Sequence, residues 1–193
     1  MREGQKQRTS KETDIIVKMN LDGSGKTDIS TGIGFFDHML TAFGVHAGLD
    51  LSVRAKGDLE VDCHHTVEDV GIVLGQAFLE ALGGKSGIAR YGSFTVPMDE
   101  SLAFCSLDIS GRPYLVFDCS FANQQIGMMD TAMVEEFFRA FAFHAGITLH
   151  VKLWYGANDH HKCEAVFKAV AHALRLAVKV TDGALLSTKG VLD

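Results

Sequence analysis

The chain has 193 residues with 18 basic and 24 acidic side chains, a formal charge of −6 with histidine neutral. Apolar residues make up 47%, which excludes a disordered or fibrous chain; net acidity opposes non-specific nucleic-acid binding, which needs clustered Lys and Arg. No apolar run approaches the ~18 residues that span a bilayer, and MREGQKQRTSKETD lacks the hydrophobic stretch of a signal peptide, so a cytoplasmic chain with no membrane or nucleic-acid partner is expected.

In chain order, TDIIVKMNLDG alternates apolar and polar residues as a half-buried strand does and ends on an Asp-Gly turn signal. FFDHMLTAFGVHAG places Phe36, Met39, Leu40 and Phe43 at helical spacing, with Gly48 as the stop. LDLSVRAKGD reads as a second strand. From Asp62 or the histidines after it, a helix carries the stripe Val67, Val70, Val73, Leu74, Ala77, Phe78 and Ala81. SLAFCSLDISGRPYLVFDCSF reads as a hairpin punctuated by Gly111-Arg112-Pro113. MVEEFFRAFAFHAG and HHKCEAVFKAVAHALRLAV read as two further helices. The four cysteines (Cys63, Cys105, Cys119, Cys163) form no CxxC pair and are expected to stay reduced.

The chain repeats itself. AFGVHAGLDLSV recurs as AFAFHAGITLHV, and DCHHTVEDVGIVLGQAFLEAL as NDHHKCEAVFKAVAHALRLAV. His46 to His144 is an offset of 98 and His64 to His160 one of 96, so a connection after Val53 absorbs two residues. Two matched blocks in one order imply a duplicated half-domain. The expected fold is α+β: one domain over 1–193, built from repeats of about 1–90 and about 91–193, each a mixed β-sheet with helices on one face.

Two glycine runs are decoys. GSGKT has Asn20, and GGKSG has Leu79, where a phosphate-binding loop needs its first glycine. There is no GxSxG elbow for a hydrolase serine. The chemistry-bearing pattern is HHxxE, present twice as His64-His65-Thr66-Val67-Glu68 and His160-His161-Lys162-Cys163-Glu164. Residues i and i+4 share a helix face, so His64 lies over Glu68 and His160 over Glu164. His65 and His161 point about 100° away around the axis. That spacing asks for two metal ions, each taking an i/i+4 pair from one repeat and the neighbouring histidine from the other. Imidazole and carboxylate without thiolate suit Mn, Fe, Zn or Co, and positions left open on such an ion face substrate. His38 and Glu136, each eight residues before an HAG histidine, are further ligand candidates; His46 and His144 are expected to be packing or surface groups.

LDGSG with STGIGFFDHML, DCHHTVEDV, SGIARYG, MDESL, SGRPYL, NDHHKCEAVFKA and STKGVL resemble the imidazoleglycerol-phosphate dehydratase family along essentially the whole chain. With no phosphatase-like segment preceding them, the resemblance is to the monofunctional form. It implies a ribosomal protein S5 domain 2-like fold and two Mn2+ per active site. It assigns His38, His65, His160 and Glu164 to one ion, and His64, Glu68, His161 and the residue at 136 to the other. Many relatives have histidine at 136, where this chain has Glu136. The resemblance further implies that sites form between neighbouring subunits of a 24-subunit homo-oligomeric cage. Arg90, Arg112, Lys168, Ser187 and Lys189 match positions that hold the substrate, chiefly its phosphate, a role suited to guanidinium and ammonium groups. Glu12 matches the acid/base glutamate, Asp99 is a polar neighbour without an assigned role, and Ala42 stands where some members carry a phosphate-contacting glutamine.

The implied reaction dehydrates a phosphorylated small molecule in histidine biosynthesis. Its imidazole ring, bound as imidazolate, expels a hydroxyl to give a diazafulvene-like species, which then loses a neighbouring proton. On the residues alone, a dinuclear hydrolase and a non-catalytic metal-dependent assembly protein remain alternatives.

Overall fold

The computed structural model describes residues 1–181, 183 and 186–188. Its first four strands are Glu3–Thr9 (β1), Thr13–Asn20 (β2), Thr27–Ser30 (β3) and Asp50–Gly57 (β4), in the sheet order β1-β2-β4-β3. Gly34–Ala47 (α1) crosses between β3 and β4, which pair in parallel, and His64–Leu82 (α2) follows β4. The second copy adds Tyr91–Met98 (β5), Ser101–Asp108 (β6), Tyr114–Asp118 (β7), Gln125–Ile126 (β8) and Met129–Asp130 (β9). Ala132–Ala145 (α3), Thr148–Tyr155 (β10) and Asp159–Ala177 (α4) complete it. Its sheet order, β5-β6-β10-β7, is that of the first. In β2, Ile15, Val17 and Met19 turn inward while Asp14 and Lys18 stay open, the period of a sheet with one covered face. Helices α1 and α2 cover that face of the first sheet, α3 and α4 that of the second, and α2 meets α3 as α1 meets α4. The fold is therefore the expected duplicated α+β arrangement.

One expectation fails. The segment around Gly111-Arg112-Pro113 joins no hairpin, because β10 lies between β6 and β7, antiparallel to the first and parallel to the second. Parallel neighbours need a crossover rather than a tight turn, and α3 supplies it. The hairpin of this sheet is β5–β6, closed at Asp99-Glu100 between Met98 and Ser101. Asp99 adopts φ +47°, as such short turns require.

Strand registers add an offset that the two sequence blocks do not show. Gly4 faces Met19 as Gly92 faces Leu107, so the first strands repeat at 88 residues. Residues 119–131, including the β8–β9 hairpin, lengthen the offset to 98 at α1 and α3. At the matched positions Gly4 and Gly92, helix backbone lies directly against the strand. A Cβ on Gly4 would sit 2.1 Å from the Ala77 carbonyl oxygen, and one on Gly92 would sit 1.9 Å from that of Ala173.

Buried apolar side chains of both copies join one cluster. The repeat partners Phe43 and Phe141 touch each other edge-on at 5.9 Å, and Phe36 meets Phe137 at 5.3 Å. Cys63, Cys105 and Cys163 are buried free thiols. Burial pushes the Cys119 thiol up to about 12, and raises those of Cys105 and Cys163 as well. Between α1 and α4, His46 Nδ1 and His172 Nε2 lie 3.1 Å apart, and Phe94 stacks on His172 at 4.4 Å. Burial lowers both imidazole pKa values, with Lys168 adding to the effect on each. Among the described residues no helix is long and apolar enough to cross a membrane.

Two outcomes follow from this packing. Gly4→Ala and Gly92→Ala should each cost roughly 1–3 kcal/mol by overpacking, whereas Gly34→Ala, whose Cβ would meet nothing within 4 Å, should be neutral or slightly stabilising. Urea unfolding of the three variants checks this, and equal midpoints would refute it. Because burial depresses the His46 and His172 pKa values, their contribution to stability is intact above the ordinary value of about 6.5 and is lost as pH falls from there through the lower folded values. The wild-type Tm should therefore fall more steeply between about pH 7.5 and pH 5 than that of the His46→Gln/His172→Gln double variant. Parallel Tm curves would contradict this.

Candidate active site

Both HHxxE segments open a helix. The His64 backbone amide donates to Asp62 Oδ1 at 2.7 Å, and that of His160 to Asn158 Oδ1 at 2.9 Å, so side-chain oxygens satisfy donors that a first helical turn leaves unpaired. Asp159, 4% exposed, accepts from the backbone of Ala122 and Asn123 and pairs with Lys162 at 2.8 Å. Burial pushes its carboxyl up, but Lys162 and the backbone donors outweigh burial and hold it well below the usual range. The same 119–131 insert reaches the other helix start, where the Asp130 amide donates to Cys63 Sγ at 3.4 Å. One segment thus braces both helix starts.

The expected i/i+4 pairs are present: His64 Nε2 lies 3.3 Å from Glu68 Oε2, and His160 Nε2 lies 3.4 Å from Glu164 Oε2. From α1, His38 Nε2 comes within 3.5 Å of the same Glu164 oxygen. Donor atoms of His38, His160 and Glu164 all lie within 4.8 Å of one another. Phe35 presses edge-on against His160 at 5.0 Å. Lys168 Nζ takes the other Glu164 oxygen at 2.6 Å. Burial raises the Glu164 carboxyl, but Lys168 and His38 outweigh it, so the group stays ionised and below its ordinary value.

The remaining candidates are held elsewhere. His65 turns Nδ1 to Asp58 at 3.0 Å, with Glu12 Oε1 3.9 Å from its Nε2. A hollow of about 260 Å³ lined by Ser10, Lys11, Glu12 and Asp58 lies beside it. His161 turns Nδ1 to Glu100 at 2.8 Å and lies 3.6 Å from Asp99. Hydrogen bonds to Asp58 and to Glu100, respectively, raise the pKa values of these two rings. Glu136, the repeat partner of His38, pairs with Arg139 Nε at 3.3 Å. Among the described residues, then, one chain gathers three of the four ligands expected for the first ion and two of those for the second.

The phosphate candidates also separate. Lys168 stands beside the His38–His160–Glu164 cluster. Arg90, 8% exposed with φ +69°, gives its guanidinium to both oxygens of Asp108 at 2.7 and 3.0 Å and to the Leu186 carbonyl. Arg112 is exposed on the turn after β6, and Ser187 is partly buried. Lys189 lies outside the described residues, and Ala42 is buried in α1. Asp58, Glu100, Asp108 and Asp159 were not singled out from sequence. For Glu100 the signal is structural: the strand registers make it the counterpart of Glu12, moved by 88 residues.

A duplicated α+β fold thus carries twin imidazole–carboxylate pairs at equivalent helix starts, with a lysine beside one of them. Residues 31–174 match the family model described as imidazoleglycerol-phosphate dehydratase. The enzyme of that name from Acetivibrio thermocellus is 60% identical over 187 residues, covering 96% of each chain; that from Clostridium kluyveri is 56% identical over 194 residues, covering 100% of each. The crystal structure of imidazoleglycerol-phosphate dehydratase from Staphylococcus aureus superposes with a TM-score of 0.84 at 45% identity, over 93% of this chain and 99% of that one. That from Pyrococcus furiosus gives 0.85 at 40%, over 97% and 100%. The chain belongs to the imidazoleglycerol-phosphate dehydratase family, and is accordingly a hydro-lyase of histidine biosynthesis. Family membership sets aside the hydrolase and the non-catalytic assembly protein.

Removing Asp159 should leave the Lys162 ammonium, whose side chain is 9% exposed, buried without its partner, a loss of about 3–5 kcal/mol. Asp159→Ala should show that loss in urea unfolding, and Asp159→Ala/Lys162→Met should recover most of it. An unstable double variant would contradict the account.

Proposed function

We propose that the chain dehydrates D-erythro-imidazole glycerol phosphate to imidazole acetol phosphate, in the cytoplasm. The observation that carries this is the convergence of His38, His160 and Glu164 beside Lys168 in a chain of this family. Two borderline imidazoles and an ionised carboxylate suit Mn2+, so the residues fit the ion the resemblance implies. We assign two Mn2+ per site: one to His38, His65, His160 and Glu164, the other to His64, Glu68, His161 and Glu136. His65 and His161 are oriented by other carboxylates within their own chain, which supports their donation to sites on neighbouring copies in a homo-oligomer of 24 subunits. Glu136 would leave Arg139 to coordinate. When bound, the ions favour the deprotonated, electron-rich form of the substrate's imidazole ring.

The chain's own residues do the rest. Lys168, Arg112, Ser187 and Lys189 bind the phosphate with charge and hydrogen bonds, and Arg90, neutralised by Asp108, adds rigid guanidinium donors and holds the Leu186 carbonyl next to Ser187. The proton lost from the glycerol chain is not acidic, so a positioned base is needed. Glu12, half exposed beside the hollow near His65, takes that proton and supplies one to the departing hydroxyl, which leaves as water. The resulting enol tautomerises to the ketone.

Incubating the Mn2+-loaded protein with imidazole glycerol phosphate should yield the ketone. Exhaustive chelation should abolish turnover and reduce particle mass in light scattering, since ligands drawn from several copies make metal binding part of assembly. Absence of ketone would overturn the substrate assignment; full turnover and unchanged mass after chelation would overturn the metal and assembly assignments.

A further inference from the structure

The two second histidines of the HHxxE segments are held alike by carboxylates that are not equivalent. Glu100 Oε2 meets His161 Nδ1 at 2.8 Å, while its Oε1 accepts the amides of Ala157 at 3.1 Å and Asn158 at 2.8 Å and the Ser101 hydroxyl at 3.1 Å. This one side chain ties the β5–β6 turn, the β10–α4 connection and His161 together. In the first copy, Asp58 oxygens lie 3.0 and 3.2 Å from His65 Nδ1. An ionised carboxylate only accepts hydrogen bonds. Nδ1 of each ring therefore carries the hydrogen, and the free lone pair of the neutral ring is on Nε2.

The 88-residue offset makes Glu100 the repeat partner of Glu12. Their fates differ. Glu12 has an exposed side chain, 53% accessible, whose nearest recorded partner among the described residues is His65 Nε2 at 3.9 Å. The reason lies in the connections before the two helices. The connection 58–63 of the first copy is longer than 156–158 of the second and opens with Asp58, whose amide bonds the Glu12 carbonyl at 3.1 Å. The second copy opens with Gly156, which has no side chain to offer. A Cβ there would lie 2.4 Å from Ser101 Oγ.

We propose that Glu100 is a positioning residue that fixes His161 with Nε2 presented for coordination, that Asp58 does the same for His65, and that Asp58 thereby leaves Glu12 unengaged. This rests on the assignment of His65 and His161 as metal ligands. Carboxylates that orient a ligating histidine typically carry 10–100-fold of metal affinity.

Mn2+ affinity, read by competition with a metallochromic chelator on the purified full chain, tests the proposal. Glu100→Ala should bind Mn2+ about 10- to 100-fold more weakly, with turnover restored at saturating Mn2+. Glu100→Gln, whose amide oxygen still accepts from Nδ1–H, should lose clearly less. Glu12→Gln should keep wild-type affinity and lose turnover. Wild-type affinity in Glu100→Ala, or equal losses in its Ala and Gln variants, would overturn the proposal. If Glu100→Ala fails to fold, the near-isosteric Glu100→Gln and Asp58→Asn carry the test: weakened binding in both supports the proposal, and wild-type affinity in both overturns it. Undiminished turnover in Glu12→Gln would overturn the acid/base assignment of Glu12 instead, without touching the affinity result.

Discussion

The contact on which the site depends is that of helix backbone with strand backbone at Gly4 and Gly92. No side chain separates α2 from β1 or α4 from β5 there. Each helix is thereby seated along its axis by atoms that cannot change rotamer. A helix rises about 1.5 Å per residue, whereas ligand atoms tolerate displacements of only about 0.2 Å. Seating a helix by flexible side chains would leave its first turn free to drift by more than coordination allows. The paired glycines give both HHxxE segments the same seat, and the bonds from residues 119–131 to Cys63 and Asp159 secure the helix starts.

Much of this was legible in the sequence, for physical reasons that are specific to each element. The four helices carry their apolar residues at helical spacing because each has one covered face, and αL glycines at 48 and 146 end two of them. The i/i+4 geometry follows from the helix alone. By contrast β1 escaped detection because the residue it buries is Gly4, so EGQKQRT shows no apolar alternation. The short β3 is likewise polar. The supposed hairpin at Gly111-Arg112-Pro113 failed because periodicity reports which side chains are buried and not which strand lies next to which. With β1 missing, the 88-residue offset was invisible, and with it the equivalence of Glu12 and Glu100.

Duplication gives both copies the same four-stranded sheet and helix pair, and they differ around the site. His38 has Glu136 as its partner across the repeat, Asp58 has Gly156, and the three residues before α1 have the whole 119–131 segment. Each of these differences lies at the helix-start end of the molecule, around the imidazoles, while the glycine seats and the Phe43–Phe141 pair remain matched. The scaffold stays symmetric, and the site does not.

The cysteines lend themselves to a different use. Cys63 lies in the first copy, and Cys105 and Cys163 in the second, all buried. The raised values of Cys105 and Cys163 keep those two as unreactive thiols while the chain is closed. A reagent that needs thiolate and access can modify them only during excursions that expose the interior. Single-cysteine versions would thus carry a clock in either half. Matching labelling rates would mean that the two halves open together, and unequal rates that one copy breathes while the other remains shut.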